Sequence, residues 1–343
     1  KKKKKKKKMA NVANKGTFAT YNGASLNEMF YEPVFKSDDI MRNYRVIPNV
    51  KHKMNVYTSA ALTKIVQKYT SCSATSGTTQ FNIENKTITA GRMRVALEQC
   101  QSEFENTYIE ELYRSGVDVF NLEGTVVADA IVNRAVKGIG SDVVRLAWGG
   151  DSATANYDQM SGWMKLMGDD ATVLAARTES SAVAPTAPTA AESLSLLRTM
   201  YDSAPAALQQ VPAADKRIYV SPKTYNAYLQ NLEGTSADLA ITNQQDGLLV
   251  VKFRGVEIVA MYEWDTILAD TDPAMFLRGG VNGTKGACYC AVDNLIIGSD
   301  VTDPEGSFKV FYDDLEEKMF FRGYFKLGVQ FLYPSLVQWG IFY

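Results

Sequence analysis

The sequence predicts an α+β fold in which one long helix and one long strand frame a smaller α/β unit, and three observations predict it. Between Met319 and Tyr333 the odd positions read Met, Phe, Gly, Phe, Leu, Val, Phe, Tyr, while Arg322, Lys326 and Gln330 fall on even positions. That is the period-2 face of a strand, and fifteen residues span about 50 Å. From about Leu122 to Trp148, residues Val132, Val136, Ile139, Val143 and Leu146 form one apolar stripe at helical spacing. Between these elements, Ser180 to Ala191 (SSAVAPTAPTAA) reads as an extended connector to a separate unit.

From the N-terminus, Lys1 to Lys8 is a run of like charge that cannot pack, and it is expected to be non-native, with Met9 as the original start. Met9 to Arg45 is polar and Asn-rich, with scattered Phe and Tyr and no sustained period. An arm that packs along a neighbour fits it. From about Val46 to Val95 the pattern is that of a long hairpin: strands at Lys64 to Thr70, at Thr79 to Glu84 and at Lys86 to Thr89, with a loop at Ser71 to Thr78. An isolated two-stranded ribbon is marginal in water, so partner contacts are expected to hold it.

A short helix is expected at Glu103 to Tyr113, and the long helix should be interrupted or bent near Gly138 and Gly140. Its end is marked by Gly149-Gly150-Asp151. After the connector, Thr189-Ala190-Ala191-Glu192 fits a capping box, with Leu194, Leu197 and Tyr201 on the following helix. Arg217 to Val220 reads as a strand leading into a helix with Ser221 as cap and Pro222 at its first position. Gly247 to Phe253 and Val256 to Met261 should form a hairpin around Arg254-Gly255.

The chemistry-bearing residues exclude much. One histidine, His52, leaves no histidine-based triad or multi-histidine metal site. No nucleophile elbow, phosphate-cradling loop or dinucleotide fingerprint is present, and the Gly-rich stretch Gly279 to Gly286 has the wrong spacing. The acidic pairs Glu103/Glu105, Glu110/Glu111, Asp169/Asp170, Asp313/Asp314 and Glu316/Glu317 are expected on solvated faces, and Asp300 to Gly306 lacks the ligand spacing of a calcium loop. Cys72, Cys100, Cys288 and Cys290 match no zinc spacing. They are expected as free thiols, the Cys288/Cys290 pair pointing to opposite faces of its strand. No catalytic residue, cofactor site or metal site is therefore expected.

Of the 37 basic residues eight are Lys1 to Lys8, leaving 29 against 38 acidic residues and a formal net charge of −9. Tight grip on a phosphate backbone needs the opposite balance. No run of about 18 apolar residues supports a membrane span, and the start at Met9 has no signal-like apolar segment, so a cytoplasmic origin is expected.

Several local sequences resemble one family: Leu146 to Asp151 (LAWGGD) with Gly162-Trp163 after it, Tyr219 to Leu229 (YVSPKTYNAYL), Asp293 to Asp300 (DNLIIGSD) and Phe321 to Leu336 (FRGYFKLGVQFLYPSL). With the order arm, hairpin, long helix, small α/β unit and return to a long sheet, they resemble the Hong Kong 97-like capsid fold. This is the shell fold of tailed bacteriophages and of encapsulin compartments. The resemblance implies an N-terminal arm at 9–45 and an extended hairpin loop at 46–95. It implies a peripheral domain with a spine helix and long sheet at 96–190 and 292–343, and an apical domain at 191–291.

It further implies a major capsid protein that assembles as hexamers and pentamers of an icosahedral virion shell, formed in the host bacterial cytoplasm around double-stranded DNA. A separate scaffolding protein and a portal are the expected partners, DNA contact is expected to be weak and non-specific, and no membrane is involved. Lys64, Lys68 and Lys86 lie in the hairpin region, but no cross-link is expected of them. Twelve of the 37 aromatics fall between Phe308 and Tyr343, more than a small sheet buries alone. Tyr69, Phe81, Phe321, Phe325, Phe331, Tyr333 and Trp339 are the candidate subunit-interface residues, and Phe325→Asp is expected to block assembly. An encapsulin-type shell closing around a cargo enzyme is the alternative. A cytosolic enzyme using carboxylates such as Asp293 and Glu257 is the remote one.

Overall fold

Residues Lys318–Phe331 form one unbroken strand whose odd side chains, Phe321, Phe325, Leu327, Val329 and Phe331, are buried on one face, as their alternation requires. The computed structural model describes residues 19–21, 38–59, 83–100, 126–152, 158–178, 188–235, 244–245, 248–249, 251–264, 286–300, 308–313 and 318–342. The expected strand at Lys64 to Thr70, the helix at Glu103 to Tyr113 and the Ser180 to Ala187 part of the connector lie outside them.

In chain order the elements are β1 (Ala19–Tyr21), α1 (Asp38–Asn43), β2 (Arg45–Ile47), β3 (Lys53–Ser59), β4 (Ile83–Thr89), β5 (Gly91–Cys100), α2 (Val126–Gly149) and α3 (Trp163–Asp169). Then come β6 (Leu174–Thr178), α4 (Ala190–Asp202), α5 (Ala206–Gln210), β7 (Lys216–Val220), α6 (Pro222–Thr235), β8 (Gln244–Gln245), β9 (Leu248–Leu249), β10 (Lys252–Phe253) and β11 (Val256–Ala260). The last are β12 (Ala287–Ala291), β13 (Leu295–Ser299), β14 (Phe308–Asp313), β15 (Lys318–Phe331) and β16 (Val337–Phe342).

One sheet runs β1-β14-β15-β13-β2, with β5 also paired to β15, antiparallel from Lys318↔Cys100 to Leu327↔Gly91. The second runs β10-β11-β7-β12-β16-β6. It takes strands from both sides of the expected domain limits at 191 and 291: β6 and β16 continue the sheet of β7 and β12. The chain therefore returns from the long sheet to the small unit in its last strand. The largest apolar cluster among the described residues joins the two sheets: Val136, Ile139 and Val143 of α2 share it with Phe321 and Phe325 of β15 and Tyr219, Cys288 and Cys290 of the second sheet.

Local signals place several element ends as expected. The Thr189 hydroxyl accepts from Glu192 N at 3.3 Å while the Glu192 carboxylate accepts from Thr189 N at 2.8 Å, the reciprocal box that starts α4. Ser221 Oγ accepts from Thr224 N at 3.3 Å ahead of Pro222 and starts α6. Arg254 and Gly255 both have positive φ, 48° and 84°, in the two-residue turn joining β10 to β11.

Three expectations are corrected. The long helix α2 runs through Gly138 and Gly140 without interruption. The hairpin strand that pairs with β4 is β3, Lys53 opposite Thr89 through Ser59 opposite Ile83. Cys288 and Cys290 face the same side of β12, because residues i and i+2 of a strand share a face. Burial, with the Cys290 thiol beside it, pushes the Cys288 thiol well up from its ordinary value.

Candidate functional site

Trp148, at the end of α2, stands at the centre of an aromatic cluster gathered from segments distant in sequence. Its ring meets Trp264 at 4.9 Å, Trp163 at 5.0 Å, Tyr219 at 5.3 Å, Tyr44 at 6.3 Å and Trp339 at 6.4 Å between centroids. Most of these rings also have polar anchors. Trp163 Nε1 donates to Gln330 O at 3.0 Å, and Tyr219 Oη donates to Asn43 O at 2.7 Å. Edge-on and stacked pairs of this kind add about 0.5–1.5 kcal/mol each beyond area burial. The cluster fixes how α1, α2, α3 and the second sheet meet.

The glycines of LAWGGD and Gly162-Trp163 belong to the same junction. Gly162 N donates to Gly150 O at 2.7 Å, and a Cβ on Gly150 would sit 2.4 Å from Met160 O. On Gly162 it would sit 2.7 Å from Trp148 O. Only bare backbone fits on either side of this crossing, which turns the chain from α2 into α3.

Two carboxylates tie the second sheet to the helices. Ser141 Oγ and Arg145 Nε of α2 both donate to Glu263, at 2.5 Å each. Glu257 of β11 is held by Arg42 of α1 at 2.8 Å and by Arg217 of β7 at 3.3 Å. Asp142 is raised above its ordinary value by burial, with Arg145 opposing and Glu263 adding to the rise. A half-open cleft of about 240 Å³ lies beside it, walled by Met93, Val95, Ile139, Leu146 and Phe325 with Arg94, Asp142, Arg145 and Gln159. Neither Asp293 nor Glu257 lines it. Asp293 is exposed and Glu257 serves two guanidiniums, so their surroundings do not set them up as an acid and base pair. Among the described residues no group of three or more His, Cys, Asp or Glu is placed to hold a metal ion, and no helix is long and apolar enough to cross a membrane.

The hairpin β3–β4 stands outside both large sheets and, among the described residues, is fastened at its base. Ile88 is fully buried with Val50, Ile296 and Leu332. Lys86 Nζ lies 3.3 Å from Asp170 and 4.5 Å from the centre of the Phe331 ring, and Gln330 Nε2 donates to Thr87 O at 3.1 Å. Further out, Tyr57 is 70% exposed and Ile83 is 65% exposed. These are the large apolar side chains that the described part of the ribbon leaves most exposed.

The interface candidates divide in three. Phe321, Phe325 and Phe331 are buried in the subunit's own core, because the odd face of β15 packs on α2 and leaves them almost no surface for a neighbour. Tyr333 and Trp339 are half-buried, Tyr333 beside Asn294, whose Oδ1 accepts from Tyr333 N at 2.7 Å, and Trp339 against the Trp148 cluster. Tyr69 and Phe81 lie outside the described residues. Neither the exposure of Tyr57 and Ile83 nor the Glu263 latch was anticipated. The Tyr57 signal was available as an aromatic on a mostly polar strand, whereas the latch joins residues about 120 positions apart and leaves no local trace.

No family model matches this chain, and no curated protein does. Solved structures do. The subunit of the satellite phage P4 procapsid, a particle that includes a size-determination protein, superposes over 92% of this chain and 96% of that one, with a TM-score of 0.53 and 10% identity. The capsid of the Myoviridae phage XM1 covers 89% and 92% at a TM-score of 0.52 and 10% identity. The capsid of the native GTA particle covers 88% and 89% at the same score and identity. With two sheets, a long helix ending at a glycine crossing and an outlying hairpin, the chain has the α+β, Hong Kong 97-like fold of tailed-phage capsid subunits.

Proposed function

We propose that this chain is the major capsid protein of a tailed phage or a related element, a structural subunit with no catalytic role. It assembles with copies of itself as the hexamers and pentamers of an icosahedral virion shell enclosing double-stranded DNA. The observation that carries this reading is the end-to-end likeness to capsid subunits, 92% of this chain against 96% of the P4 subunit. A fold retained over that span at 10% identity is retained as a whole subunit. The hairpin supports it independently, with a base fastened by Ile88, Lys86 and Thr87 and an arm that presents Tyr57 and Ile83 outward.

The subunit contacts fall on Tyr57, Ile83, Tyr69 and Phe81 of the hairpin region, with Tyr333 and Trp339 at the half-buried edge of the core. The units at 96–190 with 292–343 and at 191–291 tile the shell as peripheral and apical parts, while the arm and hairpin reach neighbours. The net charge of −9 outside Lys1 to Lys8 keeps contact with packaged DNA weak and non-specific. A separate scaffolding protein and a portal complete assembly in the bacterial cytoplasm.

Sedimentation velocity of residues 9–343, alone and with a co-expressed scaffolding protein, tests the reading. Pentamer-sized, hexamer-sized or larger species are expected. A monomer or dimer in both preparations contradicts it, and closed shells enclosing a host enzyme would indicate an encapsulin-type compartment instead.

A further inference from the structure

The even-numbered face of β15, opposite the one that buries Phe321 and Phe325, carries a strip of cations. Register sets it out. Lys326, Tyr324, Arg322 and Phe320 of β15 stand opposite Arg92, Arg94, Ala96 and Glu98 of β5, and Arg322 also stands opposite Lys309 of β14. Cross-strand partners share a face, so Arg92, Arg94, Arg322 and Lys309 lie on one surface. At about 3.4 Å per residue and about 4.8 Å per strand, the strip runs roughly 17 Å diagonally across three strands.

All four side chains are exposed. The guanidinium of Arg92 lies 4.9 Å from the Tyr324 ring centre, and that of Arg322 lies 4.9 Å from Phe320 and 5.3 Å from Phe311. Stacking holds a guanidinium flat and leaves its N–H edges directed outward, the geometry that accepts a carboxylate in a two-point contact. Of the acidic groups on this face, Glu98 is within 3.5 Å of Lys318, and Asp313 stands opposite Lys318. Among the described residues no carboxylate reaches Arg92, Arg94, Arg322 or Lys309 within ion-pair distance.

We infer that this strip is a docking surface for a carboxylate-bearing face of a second copy of the chain. The inference rests on the shell reading and names where one of its contacts falls. Charge decides between partners. Outside its first eight residues the chain carries net −9, so copies repel one another unless a cationic surface is presented to an anionic one. The same surplus repels a DNA duplex over the whole molecule, which makes a neighbouring subunit the favoured polyanion for an exposed, preorganised row of arginines.

Charge reversal tests it. Arg92→Glu/Arg94→Glu and, separately, Arg322→Glu are compared with the unaltered chain by light-scattering assembly kinetics from about 0.05 M to about 0.5 M salt, a range over which screening of exposed charges becomes nearly complete. Circular dichroism first confirms folding, which these exposed positions should leave intact. The unaltered chain is expected to assemble about tenfold more slowly at the high-salt end, and each variant to assemble about tenfold more slowly than it at the low-salt end, with little salt dependence left. Variants that assemble at the unaltered rate with the unaltered salt slope overturn the inference while leaving the shell reading standing. If they do so yet lose binding to a fluorescent DNA duplex that the unaltered chain retains, the surface serves nucleic acid instead. An unaltered chain that never assembles overturns both.

Discussion

The indole N–H of Trp148 donates to the hydroxyl of Tyr44 at 2.9 Å, joining the end of the long helix to the segment just before β2. Tyr44 Oη in turn donates to Met261 Sδ at 3.6 Å, so one buried chain of contacts connects α2, the α1–β2 segment and the end of β11. Tyr44→Phe removes the acceptor and leaves a buried indole N–H unpartnered, a loss of about 1–3 kcal/mol. Trp148→Ala removes the centre of the cluster and is expected to cost about 3–5 kcal/mol. Urea unfolding of the unassembled subunit reads both, and the ordering Trp148→Ala below Tyr44→Phe is the expected result.

Gly328→Ala should loosen the hairpin without unfolding the sheet. A Cβ there would lie 2.5 Å from Thr89 O, at the base of β4. The backbone of Thr89 must move, at a cost of about 1–3 kcal/mol. Faster amide exchange confined to β3, β4 and the start of β5 is the expected outcome, and uniform exchange across the subunit would contradict the placement.

The Lys86 and Asp170 pair makes hairpin docking dependent on pH. Burial alone would raise the Asp170 carboxyl, but hydrogen bonds from the Thr172 hydroxyl and backbone, with Lys86 beside it, outweigh burial and hold it below its ordinary value of 3.8. A depressed carboxylate stabilises fully above its unfolded value and loses that contribution as pH falls through the folded one. Protease sensitivity of the hairpin should therefore be flat from neutral pH to about 5 and rise only below about 4. Asp170→Asn should show the raised sensitivity at every pH.

Phe325→Asp blocks assembly by a different route from the one the sequence suggested. A buried aromatic on the odd face of β15 gives way to a charge with no partner in the core, so the subunit should fail to fold before it meets a neighbour. Tyr57→Asp, on an exposed hairpin position, is expected to leave the melting temperature within about 2 °C and still reduce assembly. Differential scanning calorimetry beside light scattering separates the two.

How much of this was legible depended on whether the signal was local. The alternation of Phe321, Phe325 and Phe331 and the stripe Val136, Ile139, Val143 announced their elements because each pattern lies within one segment. The Thr189 box and the Ser221-Pro222 start were equally local. The partner of β4 was misplaced, since Lys53–Ser59 is polar on most positions and owes its strand form to pairing rather than to its own apolar content. The Trp148 cluster draws on residues from Tyr44 to Trp339, and the Glu263 latch bridges α2 to the segment after β11. Neither leaves a periodic trace. Phe321, Phe325 and Phe331 lie in the subunit's own core, since an aromatic surplus in sequence does not say whether the core or a neighbour takes it up.

Negative-stain electron microscopy of residues 9–343, purified alone and with a co-expressed scaffolding protein, shows whether this subunit builds shells. Closed shells, tubes, or rings of five and six subunits are expected. Fields containing only uniform monomers or dimers in both preparations would contradict it.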